Sequence, residues 1–255
     1  RTAIVRTFTM KAWTLTAHGD PHKVLRLHDH ARPTPQSHEA LIRCEGFGLN
    51  YADVMAVKGL YREAPPVPSV LGYEVVGTVE AVGDVVPKTL VGQRVVAMTR
   101  FGGYAQYAVT DHRAMAVIGA EVPLGEATAM ATQGCTAWYA ARILCPLRQG
   151  ERVLVHSAAG GVGQWLVQLA LRSGCEVFAM AGGKNKCNHL AAMGVQHVID
   201  RRAGDPYTAL AQALHGHRLD VSFNAVGGSS FAHDLRLLGS GGRVVSYGGA
   251  QRGNL

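Results

Sequence analysis

Long apolar runs are missing from this 255-residue chain: no stretch approaches the ~18 unbroken apolar residues that a membrane span requires. Arg1–Met10 also lacks a sustained apolar run and does not read as a secretory signal. Paired cysteines are missing too. Cys44, Cys135, Cys145, Cys175 and Cys187 are odd in number, widely spaced and never arranged as Cys-x-x-Cys, so neither a disulfide framework nor a clustered zinc site is expected. They read as reduced thiols, which makes the cytoplasm the expected location. Charge is sparse at 17%, and 25 basic against 18 acidic residues leave a balance of +7. The cations are dispersed rather than gathered into a stripe, so no nucleic-acid partner is expected, and an anionic small molecule accounts for the balance as well. What is abundant is apolar content, 47%, and glycine, 31 residues without a collagen repeat. Such a chain forms a globular core.

Two textures divide it. From Met10 to about Val117, short alternating segments read as antiparallel strands: Lys11–Thr16, Lys23–His28, Ala40–Cys44, Glu74–Val82, Gln93–Met98 and Tyr104–Val109. One helix is expected among them, Tyr51–Lys58. A helical stretch then covers Leu124–Leu144, and strands begin to alternate with helices. The strands are Arg152–His156, Glu176–Met180, His197–Ile199, Asp220–Asn224 and Arg243–Tyr247; the helices are Gly161–Arg172, Asn185–Met193, Pro206–Leu214 and Ser229–Leu238. That repetition calls for a parallel sheet with right-handed crossovers. The expected domains are residues 1–120, mostly antiparallel β, and residues 121–255, a doubly wound α/β unit.

The run Arg152-Val-Leu-Val-His156 leads into Ser157-Ala-Ala-Gly-Gly-Val-Gly163 and then a helical segment. Small residues let a backbone turn sharply and approach a pyrophosphate, whose charge rests on the free amides that open the helix. Ala159, Gly160, Gly161 and Val162 are the candidate contacts. An NAD site places an acid about 20 residues further on, at the end of the second strand. Here the stretch is Ala179-Met-Ala-Gly-Gly-Lys-Asn-Lys186, with no acid and two lysines. Glycines make room for a 2′-phosphate and an ammonium pairs with it, so NADP(H) is the expected cofactor.

Further stretches carry a family resemblance. They are Gly48-Leu-Asn-Tyr-Ala-Asp53, Lys58-Gly-Leu-Tyr61, Pro66-Val-Pro-Ser-Val-Leu-Gly-Tyr-Glu74, Thr136-Ala-Trp-Tyr, His156-Ser-Ala-Ala-Gly-Gly-Val-Gly163 and Gly241-Gly-Arg-Val-Val-Ser-Tyr-Gly248. In this order the chain resembles the zinc-free quinone oxidoreductase branch, zeta-crystallin-like and VAT-like, of the medium-chain dehydrogenase/reductases. The resemblance implies a GroES-like N-terminal catalytic domain followed by a Rossmann domain. Zinc-using relatives carry a Cys near position 50 and a His before Glu74, where this chain has Asn50 and Tyr73, so no metal site is expected. His28-Asp-His30 and His215-Gly-His217 offer too few ligands to change that.

What the resemblance implies is hydride transfer to a quinone or an α,β-unsaturated carbonyl, with the cofactor supplying the hydride and the protein supplying position and a proton. Tyr61 matches a tyrosine near the substrate in enoyl-reductase relatives, and a phenol donates at neutral pH without ionising first. Asn50 matches the family's Asn-x-x-Asp and is the second catalytic candidate; its alternative role is to cap the following helix. Thr136 matches a threonine facing the nicotinamide. Lys186 matches a lysine reaching the 2′-phosphate, Gly182 stands where relatives place a serine on it, and Arg201 lies at the adenine end. Tyr247 and Gly248 close the cofactor set. Two alternatives stay open: a nucleotide-binding scaffold or sensor without turnover, and an enoyl-thioester reductase. The family continues past a strand like Val244–Tyr247 and pairs subunits through that continuation, so residues 1–255 read as a fragment of a longer homodimer, with Arg1–Thr9 an extension.

Overall fold

The computed structural model describes residues 9–249; the expectations for Arg1–Phe8 and for the end of the chain lie outside them. The chain divides into two compact units between Thr132 and Gln133, whereas the texture of the sequence pointed to 120/121. Among the described residues no helix is long and apolar enough to cross a membrane.

The first unit runs β1 (Thr9–Leu15), α1 (Pro21–Val24), β2 (Leu25–Ala31), β3 (Glu39–Phe47), α2 (Tyr51–Val57), β4 (Ser69–Val70), β5 (Glu74–Val82), β6 (Arg94–Met98), β7 (Tyr107–Asp111), β8 (Met115–Val117) and α3 (Leu124–Ala129). Its strands form two antiparallel sheets, ordered β2-β1-β4 and β7-β3-β5-β6-β8. Alternation decides which face each residue covers. Ala40 and Ile42 of β3, Val75 and Val79 of β5, and Val95 and Ala97 of β6 build one core. Val76 and Val96 point the other way, where Ala127 of α3 packs on them. β5 is thus buried on both faces at its start, which holds Glu74 in the interior.

Two segments depart from the sequence reading. The expected strand Lys23–His28 begins instead as the short helix α1, because Asp20 accepts the His22 amide and Pro21 stands at its first turn. The expected strand Tyr104–Val109 joins its sheet only at Tyr107. Before that, the Tyr104 amide bonds to Leu71 and the Gln106 amide to Lys11.

The second unit contains α4 (Cys135–Trp138), β9 (Arg152–Val155), α5 (Gly161–Arg172), β10 (Glu176–Ala181), α6 (Lys184–Ala192), β11 (His197–Asp200), α7 (Pro206–Ala213), β12 (Leu219–Asn224), α8 (Ser229–Leu237) and β13 (Leu238–Ser246). Its sheet is parallel, ordered β11-β10-β9-β12-β13. Both faces are covered, as a parallel sheet requires. Val153, Val155, Val177, Ala179, Val221 and Phe223 pack on one side with Leu166, Val167 and Ala170 of α5. Leu154, Phe178, Met180 and Ile199 pack on the other with Leu210 of α7. The expected helix Leu124–Leu144 is not a regular α-helix, since residues 130–134 and 139–144 wind as π-helix. The amide of Cys145, for example, reaches back five residues to Ala140. Thr128, Thr132, Gly134 and Thr136 interrupt the strong helix formers in that run.

Chain order leaves β9 in one direction through β10 to β11 and then returns to its other side with β12 and β13. That reversal at the carboxyl ends of the central strands is where open α/β sheets hold ligands. Phe178 is fully buried at the centre of the sheet, and Phe178→Ala should cost about 3–5 kcal/mol in denaturant unfolding.

Candidate functional site

The turn after β9 is pinned on both sides. His156 donates its amide to Phe223 at 3.0 Å, and Ala158 donates to Met180 at 3.0 Å. Ser157 takes a left-handed φ of 49° to make the reversal. Helix α5 then starts at Gly161 with Gly160 as its cap, a residue with no side chain to bond the first amides. A Cβ on Gly163 would stand 2.3 Å from the Ser157 carbonyl oxygen and 2.8 Å from Ala158 Cα, so only glycine lets the helix pack against the turn. Ala159, Gly160, Gly161 and Val162 all lie along this uncapped, partly positive helix start, which suits an anion. Thr136 lies half-buried in α4.

The turn after β10 is the second positive element. Asp200 at the end of β11 accepts the Gly183 amide at 2.8 Å and the Arg202 amide at 2.9 Å, and these bonds hold its carboxyl below the usual range. A Cβ on Gly182 would meet the Arg201 Nε at 3.0 Å and the Arg202 Nε at 3.2 Å. Two guanidinium groups therefore flank the diglycine, and exposed Lys184 and Lys186 occupy the first turn of α6, which has no acid. Cations at a helix start are unfavourable by about 0.3–1 kcal/mol each, so this grouping favours a bound anion. Arg202 escaped the sequence reading, although its neighbour Arg201 at the end of the third strand was the available signal.

Beneath these turns lies a buried polar network. His156 Nε2 stands 2.9 and 3.0 Å from the two oxygens of Asp234. Asp234 also accepts the Ser222 hydroxyl at 2.7 Å and the Asn224 side-chain amide at 2.6 Å. Asn224 Oδ1 in turn accepts the amides of Val226 and Gly227. Tyr247 donates its hydroxyl to the His156 carbonyl at 3.2 Å, and the same residue's amide donates to Asn224. A Cβ on Gly248 would come within 2.9 Å of the Ala225 carbonyl. Strand ends β9, β12 and β13 are thus tied together through α8. Ser230 and Asp234, polar on the buried face of an otherwise amphipathic helix, were the unread signal.

In the first unit the polar centre is Asn50, which caps α2. Its side-chain amide donates to Glu74 Oε1 at 2.8 Å, and its backbone amide to Asp53 Oδ2 at 3.0 Å. The Gly72 amide reaches Asp53 Oδ1 at 3.2 Å. Gly48 must be glycine, because a Cβ would stand 1.8 Å from Glu74 Oε1. Burial pushes both carboxyls up, against hydrogen bonds from the Asn50 and Gly72 amides to Asp53 and from the Asn50 side chain to Glu74. Tyr61 joins a different group, edge-on to Tyr73 at 6.1 Å, with Tyr73 against Phe101 at 4.9 Å. Burial, and then the Tyr61 phenol, raises the Tyr73 phenol.

Residues 36–143 match the alcohol dehydrogenase GroES-like domain and residues 161–255 the zinc-binding dehydrogenase domain. A quinone oxidoreductase of Pseudomonas syringae pv. tomato is 31% identical over 94% of this chain and 74% of its own, with a TM-score of 0.87. A mycobacterial protein solved in complex with NADPH is also 31% identical, over 94% of this chain and 74% of its own, with a TM-score of 0.85. A mycocerosic acid synthase-like polyketide synthase of Mycobacterium tuberculosis is 32% identical over 86% of this chain. The chain spans about a tenth of that relative's length. The chain belongs to the medium-chain dehydrogenase/reductase family, a family of oxidoreductases. Zinc, which the second domain's description implies, does not fit the residues here. Asn50 and Tyr73 hold the two positions, and among the described residues no three His, Cys, Asp or Glu side chains gather as a metal site. A dinucleotide fits better, given a glycine turn whose closest approach, at Gly163, a Cβ would block.

Two outcomes follow from these clusters. Asp234→Ala leaves buried donors and His156 unpaired and should lower stability by about 3–5 kcal/mol in denaturant unfolding. A carboxyl raised by burial keeps its proton in the folded chain after the unfolded chain has lost it, so its stability contribution falls as pH rises above the ordinary carboxylate value. Glu74→Gln, which retains an acceptor for Asn50, should therefore match the wild type near pH 4.5 and melt higher at pH 7, by about 2–4 °C per kcal/mol gained.

Proposed function

We propose that this chain is an NADPH-dependent, zinc-independent oxidoreductase acting on a quinone or an α,β-unsaturated carbonyl. The observation that carries the reading is the uncapped glycine turn opening α5, with a guanidinium-flanked diglycine one strand away. Amides around Ala159, Gly160, Gly161 and Val162 would hold the diphosphate. Lys186, Arg201 and Arg202 would hold the 2′-phosphate, a doubly charged group that suits forked guanidinium donors. Thr136, Tyr247 and Gly248 complete the cofactor set. The bound nicotinamide would supply the hydride.

The remaining chemistry belongs to side chains of the first unit. Asn50, clamped by Glu74 and the start of α2, is a fixed polar group that orients rather than ionises. Tyr61 would donate the proton that the reduced acceptor takes up, and Tyr73 beside it sets the ring's orientation. The match to a polyketide synthase favours, as the second reading, an enoyl thioester as acceptor. A third is a scaffold or sensor that holds the nucleotide without turnover.

Fluorescence titration with NADPH and NADH, followed by oxidation in the presence of quinones, enones and enoyl thioesters, separates these readings. Binding with turnover supports an enzyme, and the preferred acceptor selects between the first two. Tight binding without turnover supports the scaffold. Removing two cations, Lys186→Ala with Arg202→Ala, should weaken NADPH by about tenfold or more per charged contact while leaving NADH nearly unchanged; equal losses would contradict the 2′-phosphate assignment. Tyr61→Phe should lower kcat by about 10²-fold or more with NADPH affinity preserved, and an unchanged kcat would make the phenol structural.

A further inference from the structure

The end of one flexible side chain reaches Gly161, the first residue of α5. A Cβ at this position would lie 2.2 Å from Gln133 Oε1, 2.3 Å from its Cδ and 2.7 Å from its Nε2. The side chain of Gln133 therefore rests directly on the first residue of α5, at the uncapped helix start. Both residues belong to the second unit. Gln133 itself sits in the stretch wound as π-helix, residues 130–134, a distortion often found where a side chain is aimed at a functional position. It is half-buried.

We propose that Gln133 is a binding residue of the diphosphate site: its carboxamide walls the glycine turn and donates an N–H to a phosphate oxygen of the bound dinucleotide. This rests on the reading of α5 as the dinucleotide turn. An amide suits the position because it is neutral and carries both a donor and an acceptor. A carboxylate of the same shape would oppose the diphosphate while remaining favourable to the bare helix start, where negative charge is stabilising. Loss of ligand affinity is therefore separable from loss of fold.

The test compares wild type, Gln133→Glu and Gln133→Ala by NADPH fluorescence titration, with thermal unfolding of the unliganded proteins alongside. Gln133→Glu should weaken NADPH by about tenfold or more with unfolding unchanged or raised. Gln133→Ala should weaken it by a smaller factor. Gly161→Ala completes a cycle. It should be harmful in the wild-type background and distinctly less so with Gln133→Ala, because the colliding carboxamide is gone. NADPH binding by Gln133→Glu as tight as wild type, or the same loss from Gly161→Ala in both backgrounds, would overturn the assignment. Failure of the wild type to bind NADPH at all would instead sink the dinucleotide reading on which it stands.

Discussion

The second unit is organised around a backbone reversal too tight for any side chain. Gly163 brings α5 against the Ser157 carbonyl at a distance where a single methyl would collide. Everything near it follows from that approach. Because the helix starts this close to the strand end, its first amides face the carboxyl edge of the sheet instead of the solvent along its flank. Because their cap residue is glycine, with no side chain or charge of its own, their partial positive charge suits a bound anion. The apolar packing of Leu166, Val167 and Ala170 on both central strands keeps the helix in that position.

Charge is arranged in the same spirit. A net balance of +7 is modest for 255 residues, but its distribution is uneven where it counts. Two guanidiniums converge on Gly182 and two lysines start α6, with Asp200 spent on backbone amides that lock the adjoining turns. In the first unit the polar centre is acidic and inward: Asp53 and Glu74 are both buried, and Asn50 bridges them. The backbone and side-chain amides of Asn50 both donate to carboxylates, which fixes its geometry. One unit thus offers a cradle for an anion and the other a rigid set of neutral and acidic groups.

Local signals carried much of this in the sequence. The bounds of β5, Glu74–Val82, and of α5, Gly161–Arg172, coincide with those read from the sequence, because β5 is a β-branched apolar run and α5 has helical spacing, each with turn residues at its ends. The glycine turn and the missing acid after β10 were equally legible. What stayed hidden depends on distance along the chain. Asp234 reaches His156 across 78 residues, and Gln133 meets Gly161 only through the fold. Arg202 was hidden by its neighbour, since which of two adjacent arginines points at a turn is decided by backbone direction at the strand end. Local capping explains the smaller departures. Asp20 and Pro21 form a helical turn where alternation suggested a strand, and the first π segment, residues 130–134, arises where Thr132 and Gly134 weaken an otherwise regular helix.

On the function proposed above, the glycine turn opening α5 receives the diphosphate while the turn after β10 receives an additional phosphate. Backbone amide NMR of the labelled chain during titration with NADPH tests it most directly. The amides of Gly160, Gly161 and Val162 and those of Gly182 and Gly183 should shift together and saturate at one equivalent, with NADH moving the first group alone. Saturating NADPH that leaves the Gly160–Val162 amides unmoved would contradict it.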